Sequence, residues 1–307
     1  MTANAINIED LTISYHSGKK SRHPAVANLN LSVATGQVVG FIGPNGAGKT
    51  STINVLMGFM RPAKGRVRVL GYPAGSVAAR ARTGYLPEVA MYYPFMTARE
   101  TLHLYARLQG TDRLLRSKTV DSLLEKVGLA GRETDRLQTF SKGMLQRIGI
   151  AQAIMGDPDV LLLDEITGGL DPIARHDVRE VLLELKSRGK TVFFSSHELS
   201  EVALICDRII LIDQGQIVEE RSLSELIASI KRFVVATDDT WGSDKLPEGI
   251  KKRSELDGQT VFTATSDKAY RELLGLLASK KKFVVRHYEE PGSLEDYFVE
   301  RIGHKVT

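Results

Sequence analysis

The nine residues Gly43-Pro44-Asn45-Gly46-Ala47-Gly48-Lys49-Thr50-Ser51 restrict the possible folds more than any other stretch of the chain. They fit G-x-x-x-x-G-K-[ST], with Gly43, Gly48, Lys49 and Thr50 at the fixed positions. Gln37 to Ile42, just before, reads as a short buried strand, and Lys49 to about Phe59 reads as a helix. Strand, glycine-rich turn and helix together let backbone N–H groups converge on phosphate oxygens, with the positive helix end behind them. In such a loop Lys49 reaches the β and γ phosphates, and the Thr50 hydroxyl suits Mg²⁺, which prefers hard oxygen ligands.

Strand-like alternation marks Ile6 to Ile8, Leu11 to Tyr15 and Ala27 to Val33. The intervening segment His16 to His23 holds several bases and no acid. It is either a solvated hairpin tip or a contact for anionic lipid or phosphate. Short strands follow at Arg66 to Leu70 and Arg82 to Glu88, then a capping box with Thr97 as N-cap and Glu100 three residues on. Val120, Leu123, Leu124 and Val127 define a second helix that Gly128 ends. Residues from about 88 to 156 thus read as a helical subdomain inserted in an α/β chain. Asp159 to Leu163 and Thr191 to Ser195, joined by helical Val178 to Lys186, imply parallel strands covered on both faces. Ile209 to Glu219 reads as a hairpin about Gln214-Gly215. From about residue 221 the pattern changes to a small α+β extension. Its strands lie at Phe233 to Ala236, Thr260 to Thr265 and Phe283 to Arg286, with a helix through Tyr270 and Leu277. A final helix starts near Ser293 and carries Leu294, Tyr297, Phe298 and Ile302.

Two acids close the strand Val160-Leu161-Leu162-Leu163-Asp164-Glu165, at the strand end where open α/β sheets present reactive groups. Asp164 is a candidate Mg²⁺ ligand and Glu165 a candidate general base. Solvated acids at a strand end are the plainer alternative. Ser141 is a good N-cap for the helix that runs to Met155. Alternatively its hydroxyl and the Gly143 N–H face a γ-phosphate. His197, after a buried strand, is either structural or a γ-phosphate donor.

In this order the segments resemble the ATP-binding subunit of ABC transporters, over roughly residues 5 to 220. Tyr15 matches the aromatic that stacks on adenine. Gly43 to Ser51 matches Walker A, with Asn45, Gly46, Ala47 and Ser51 joining the phosphate cradle. Leu161 to Glu165 matches Walker B, and Ser141 to Met144 the signature. Gly168 to Asp171 matches the D-loop, and His197 the switch histidine. The detail looks most like type-two exporter ATPases, in Tyr85-Leu86-Pro87-Glu88, Ser141-Lys142-Gly143-Met144 and the tail Ser293 to Phe298. Four departures stand out. Glu88 occupies the place of a Gln that touches Mg²⁺ and water. Lys142 replaces a Gly, and either adds charge near the nucleotide or faces solvent. Met144 replaces a Gln. Ile166 replaces a Pro, which frees an N–H and loosens φ.

The resemblance implies an active ATPase with a cassette at residues 1–220 and an accessory domain at 221–307. Its cofactors are ATP and Mg²⁺, with Thr50, Glu88 and Asp164 toward the metal. The signature of one cassette, with Asp171, faces the phosphate loop of another, so the implied unit is a homodimer docked on an integral membrane permease. The exposed-looking run Met91 to Phe95 either receives a partner helix or packs on the helical subdomain. The implied location is the cytoplasmic face of the cell membrane.

Composition fits this reading. No run approaches the ~18–20 apolar residues of a membrane span; the most apolar stretch, Leu204 to Ile212, contains Asp207 and Arg208. No signal peptide is expected from the first residues. Cys206 is the single cysteine, so no intramolecular disulfide can form. A net charge of +4 allows acidic headgroups or nucleotides without demanding nucleic acid. A soluble ABC ATPase acting on DNA or the ribosome is the alternative. The heptads of the repair members are missing, and the translation members usually carry two cassettes per chain.

Overall fold

The computed structural model describes residues 4–15, 24–168, 170–197, 202–238, 241, 245–256, 259–292, 294, 297, 298 and 301. The basic segment 16–23, Gly169, Ser293 and Ile302 lie outside the described residues. The chain divides into two compact units, residues up to Arg221 and residues from Ser222 onward.

The first unit opens with strand β1 (Asn4–Ile13), β2 (Val26–Ala34) and β3 (Val38–Ile42), then helix α1 (Lys49–Met57). The two strands expected before residue 16 are one strand, interrupted at Asp10, whose φ is 49°. The register against β2 shifts there, as a bulge allows. β4 (Lys64–Val69), β5 (Tyr72–Pro73), α2 (Val77–Arg80) and β6 (Thr83–Leu86) follow. β5 and α2 are too short to leave a periodic signal. β1, β2, β4 and β5 make an antiparallel sheet in the order β2-β1-β4-β5.

After β6 the chain passes through α3 (Ala98–Leu108), α4 (Arg116–Lys126) and α5 (Lys142–Ile154) before returning as β7 (Val160–Leu163). The Thr97/Glu100 capping box forms in both directions, at 3.1 and 2.8 Å. α6 (Pro172–Ser187), β8 (Thr191–Ser196), β9 (Arg208–Asp213) and β10 (Gln216–Ser222) complete the unit. Gln214 and Gly215, both at positive φ, turn β9 into β10. The six-stranded sheet runs β10-β9-β3-β8-β7-β6, with β9, β3, β8, β7 and β6 parallel. This explains the near-continuous apolar strands: β3, β7 and β8 are buried throughout. One core joins both sheets through α1, with Leu11, Phe41, Ile53, Leu56 and Phe193 all buried. The rings of Phe41 and Phe193 lie 5.2 Å apart.

The second unit contains α7 (Leu223–Ser229), β11 (Lys231–Thr237), β12 (Ile250–Leu256), β13 (Gln259–Ala264), α8 (Asp267–Ser279) and β14 (Val284–Pro291). Its antiparallel sheet runs β12-β13-β11-β14. α8 packs Leu273 and Leu277 against Phe233, Val235 and Phe262. β12 escapes sequence reading because Lys251, Lys252 and Arg253 dilute its apolar alternation. It is an edge strand held in register by β13. No helix among the described residues is long and apolar enough to cross a membrane.

Candidate nucleotide site

The carboxyl ends of β3, β7 and β8 lie side by side, because these strands are parallel neighbours. β3 delivers the phosphate loop, β7 delivers Asp164 and Glu165, and β8 delivers Ser195 and then His197. The loop needs its glycines for stated reasons. A Cβ on Gly43 would come within 2.1 Å of the Ile212 carbonyl oxygen, and Gly48, at the N-cap of α1, has φ 106°. The left-handed turn at Gly48 aims the first N–H groups of α1 into the loop, where the helix dipole favours an anion.

Lys49 is buried, which a lone ammonium does not tolerate. Its Nζ donates to the carbonyls of Gly43 (2.6 Å) and Pro44 (3.2 Å), and its charge is paired with Glu165 Oε1 at 3.0 Å. The contact with Glu165 is an ion pair off the hydrogen-bond direction, so Oε1 retains no well-aligned donor. Glu165 Oε2 lies 2.6 Å from Nδ1 of His197. The Glu165 carboxylate can only accept, so Nδ1 carries the proton of this hydrogen bond. Lys49 and His197, the two side chains expected to reach a γ-phosphate, thus meet through the carboxylate of the expected base.

Ser195 was not among the candidates from sequence. Its hydroxyl donates to Asp164 Oδ1 at 2.5 Å and accepts from the Glu165 N–H at 2.9 Å. One buried hydroxyl therefore orients both acids, and holds Glu165 at φ 49°, a conformation unfavourable for a residue with a Cβ. Ile166, which stands in the place of a proline, is buried, and its carbonyl accepts from Gln146 Nε2 at 3.0 Å. Ser195 is legible only once β7 and β8 are known to be adjacent and parallel. For Ser195→Ala we expect turnover to fall about 10–100-fold through misaimed acids. Nucleotide affinity should change little. Steady-state hydrolysis and equilibrium nucleotide binding check this; equal losses in both would contradict it.

Two cavities share the walls Asn45, Glu88 and Glu165. One, of about 390 Å³, is lined by Tyr15 and the loop from Pro44 to Ser51. Tyr15 is half exposed, and its hydroxyl lies 2.7 Å from Ser51 Oγ. The other, about 370 Å³, adds Lys142, Gln146, Gly168 and His197. Lys142 is exposed and also walls this cavity, so both of its expected roles are compatible with its position. Ser141, Gly143 and Asp171 line neither cavity among the described residues. Ser141 caps α5 by accepting from the Met144 N–H at 3.3 Å, and Asp171 caps α6 through the Ala174 N–H at 2.9 Å. Both caps leave oxygen lone pairs uncommitted.

Beyond Glu88, Met91, Tyr93 and Phe95 are exposed, with the Tyr93 and Phe95 rings tilted against each other at 5.7 Å. Tyr92 turns inward instead. It packs edge-on to Tyr105 and donates to Gln152 Oε1 at 3.1 Å. Burial pushes its hydroxyl pKa up, so it remains a donor. The run thus anchors Tyr92 on the helical subdomain and leaves Met91, Tyr93, Pro94 and Phe95 exposed.

The oxygen donors fit a hard cation. The exposed Thr50 and Glu88 line the first cavity, and Asp164 commits only Oδ1 to Ser195. Among the described residues no cluster of three acidic, His or Cys side chains forms a closed cage.

The ABC transporter family model matches residues 26–168. An uncharacterised ABC transporter ATP-binding protein of Nostoc sp. is 41% identical over 100% of this chain and 92% of its own length. The Nod factor export ATP-binding protein I of Cupriavidus metallidurans is 35% identical over 92% of this chain and 94% of its own. The dimeric bacterial ABC transporter cassette MJ0796 superposes with a TM-score of 0.66 at 25% identity, over 71% of this chain and 98% of that one. With relatives of this identity running along its whole length, the chain belongs to the ATP-binding proteins of ABC transporters, and its activity is ATP hydrolysis coupled to transport.

Proposed function

We propose that two copies of this chain hold two ATP molecules between them and drive export through a separate membrane subunit, at its cytoplasmic face. The observation that carries the two-copy reading is the split of the site. The phosphate loop, Lys49 and Glu165 wall one cavity, whereas Ser141, Gly143 and Asp171 sit outside it at the N-terminal ends of α5 and α6. The dimeric state of MJ0796 and the export role named for the Cupriavidus relative support the reading.

Tyr15 stacks on adenine, and the loop from Gly43 to Ser51 wraps the phosphates. Thr50, Asp164 and Glu88 would hold Mg²⁺, which would neutralise phosphate charge. The phosphates compete with Glu165 for Lys49. Once released, the Glu165 carboxylate takes the proton of the attacking water, and His197 donates to the γ-phosphate. Glu88 can accept a hydrogen bond from that water but, when ionised, cannot donate one. Ser141 and the Gly143 N–H of the second copy close on the same γ-phosphate, so cleavage releases the two copies. Met91, Tyr93 and Phe95 receive a helix of the membrane subunit, since exposed aromatics beside a site make strong anchors.

Ser141→Arg tests the two-copy arrangement. It leaves the loop untouched and inserts a bulky cation where the second copy must approach. We expect ATP binding to persist and ATP-dependent dimerisation to be lost by size-exclusion chromatography with light scattering. Dimers forming normally on ATP would refute the arrangement.

A further inference from the structure

The second unit ends in a sheet edge shaped to pair with itself. We propose that β14 (Val284–Pro291) joins the β14 of a second copy, antiparallel, so that two accessory units share one eight-stranded sheet. This contact is separate from the ATP-bridged one and does not depend on it.

The backbone defines which groups are available. The Gly292 N–H donates to the Ile230 carbonyl at 2.9 Å, and pairing with β11 continues residue by residue back to Arg286. Alternation then turns Arg286, Tyr288 and Glu290 toward β11, and leaves the N–H and C=O of His287 and Glu289 pointing outward. Pro291 also falls on the outward side, where its missing N–H costs the sheet nothing. The register slips before Arg286, so the regular stretch is Arg286 to Pro291. Among the described residues no strand covers this edge.

The side chains select the occupant. In an antiparallel pair about a two-fold axis at Tyr288, Arg286 stands opposite Glu290 and His287 opposite Glu289, each twice. Tyr288 meets its own copy. His287 and Glu289 exchange four backbone hydrogen bonds across the axis. The Arg286–Glu290 pairs are then attractive and no like charges face each other, the arrangement that favours cross-strand pairing. Arg286 is exposed, with no ion-pair partner among the described residues. Glu290 holds Arg253 at 3.1 Å and Glu289 holds Lys231 at 2.9 Å, and each carboxylate can accept a further donor. The opposite edge, β12, carries Lys251, Lys252 and Arg253. A run of like charge there repels a second copy, the usual defence of a sheet edge. The two edges of one sheet are therefore treated differently.

The register makes the test specific. Tyr288 lies at a non-hydrogen-bonded pair, where Cα atoms approach to about 4.5 Å, within disulfide range. Arg286 lies four residues from its own copy, about 13 Å. In the full-length chain without nucleotide, mild oxidation should link Tyr288→Cys into a covalent dimer and leave Arg286→Cys monomeric. Native Cys206 is buried and its thiol pKa is raised, so it should stay silent in the wild-type control. Adding Arg286→Glu to Tyr288→Cys should abolish the cross-link by setting carboxylates face to face. Adding Glu290→Arg as well should restore it. Circular dichroism and ATP hydrolysis of each variant check that the fold survives. Equal cross-linking of the two cysteines, or no recovery in the charge swap, would overturn the pairing. Cross-linking only to a different protein would show the edge belongs to another partner. Because no nucleotide is present, failure here leaves the Ser141→Arg result standing, and the reverse holds too.

Discussion

Glu165→Gln should slow ATP hydrolysis by about 10²–10⁴-fold while ATP still binds, the range expected when a positioned general base is removed. The amide has nearly the shape of the carboxylate and cannot take a proton from water. Glu165 sits at 9% exposure between Lys49 and His197, so the substitution changes charge without opening a void. The Ser195 contact to its backbone N–H is untouched, and so is the loop geometry. Removing the carboxylate also frees Lys49 from its ion pair, so nucleotide affinity should hold or rise. The expected product is a stable ATP-bound dimer. Single-turnover hydrolysis and light scattering measure both halves of the claim. Wild-type turnover in the variant would remove Glu165 from its role as base.

Lys49→Ala should produce the other large effect, a loss of nucleotide affinity. Truncating one partner of a buried, hydrogen-bonded charge pair costs about 2–5 kcal/mol, or roughly 30- to several-thousand-fold in affinity. The expected loss has a second component in the nucleotide-free protein. Lys49 satisfies the Gly43 and Pro44 carbonyls and Glu165 together. Alanine leaves the carboxylate with His197 alone, so the thermal midpoint without nucleotide should fall. Lys49→Met keeps the side-chain bulk and separates lost packing from lost charge. Equilibrium binding of a fluorescent ATP analogue, with circular dichroism as the fold control, reads both. Unchanged affinity in a folded variant would contradict the phosphate-loop assignment.

Much of the cassette was legible because its signals are local. The Thr97/Glu100 box, the Ser141 cap, the Gln214-Gly215 turn and the loop from Gly43 to Ser51 each depend on residues a few positions apart. Buried strands such as Val160–Leu163 declare themselves by continuous apolar character, since both faces of a parallel sheet are covered. Three features were not legible for one shared reason. β12 is charged and relies on β13 for its register. Ser195 matters because β8 lies beside β7, which no periodicity reveals. The Lys49–Glu165–His197 contact joins residues 116 and 32 positions apart in the chain.

The sequence by itself determined the chemistry available: a phosphate-cradling turn that carries a lysine, two acids ending an apolar strand, and the order of these parts. Tertiary structure decided how they are engaged. Only strand adjacency brings one serine hydroxyl onto both acids and sets the lysine against the base, because these hydrogen bonds and ion pairs act through space over about 3 Å, whatever the separation along the chain.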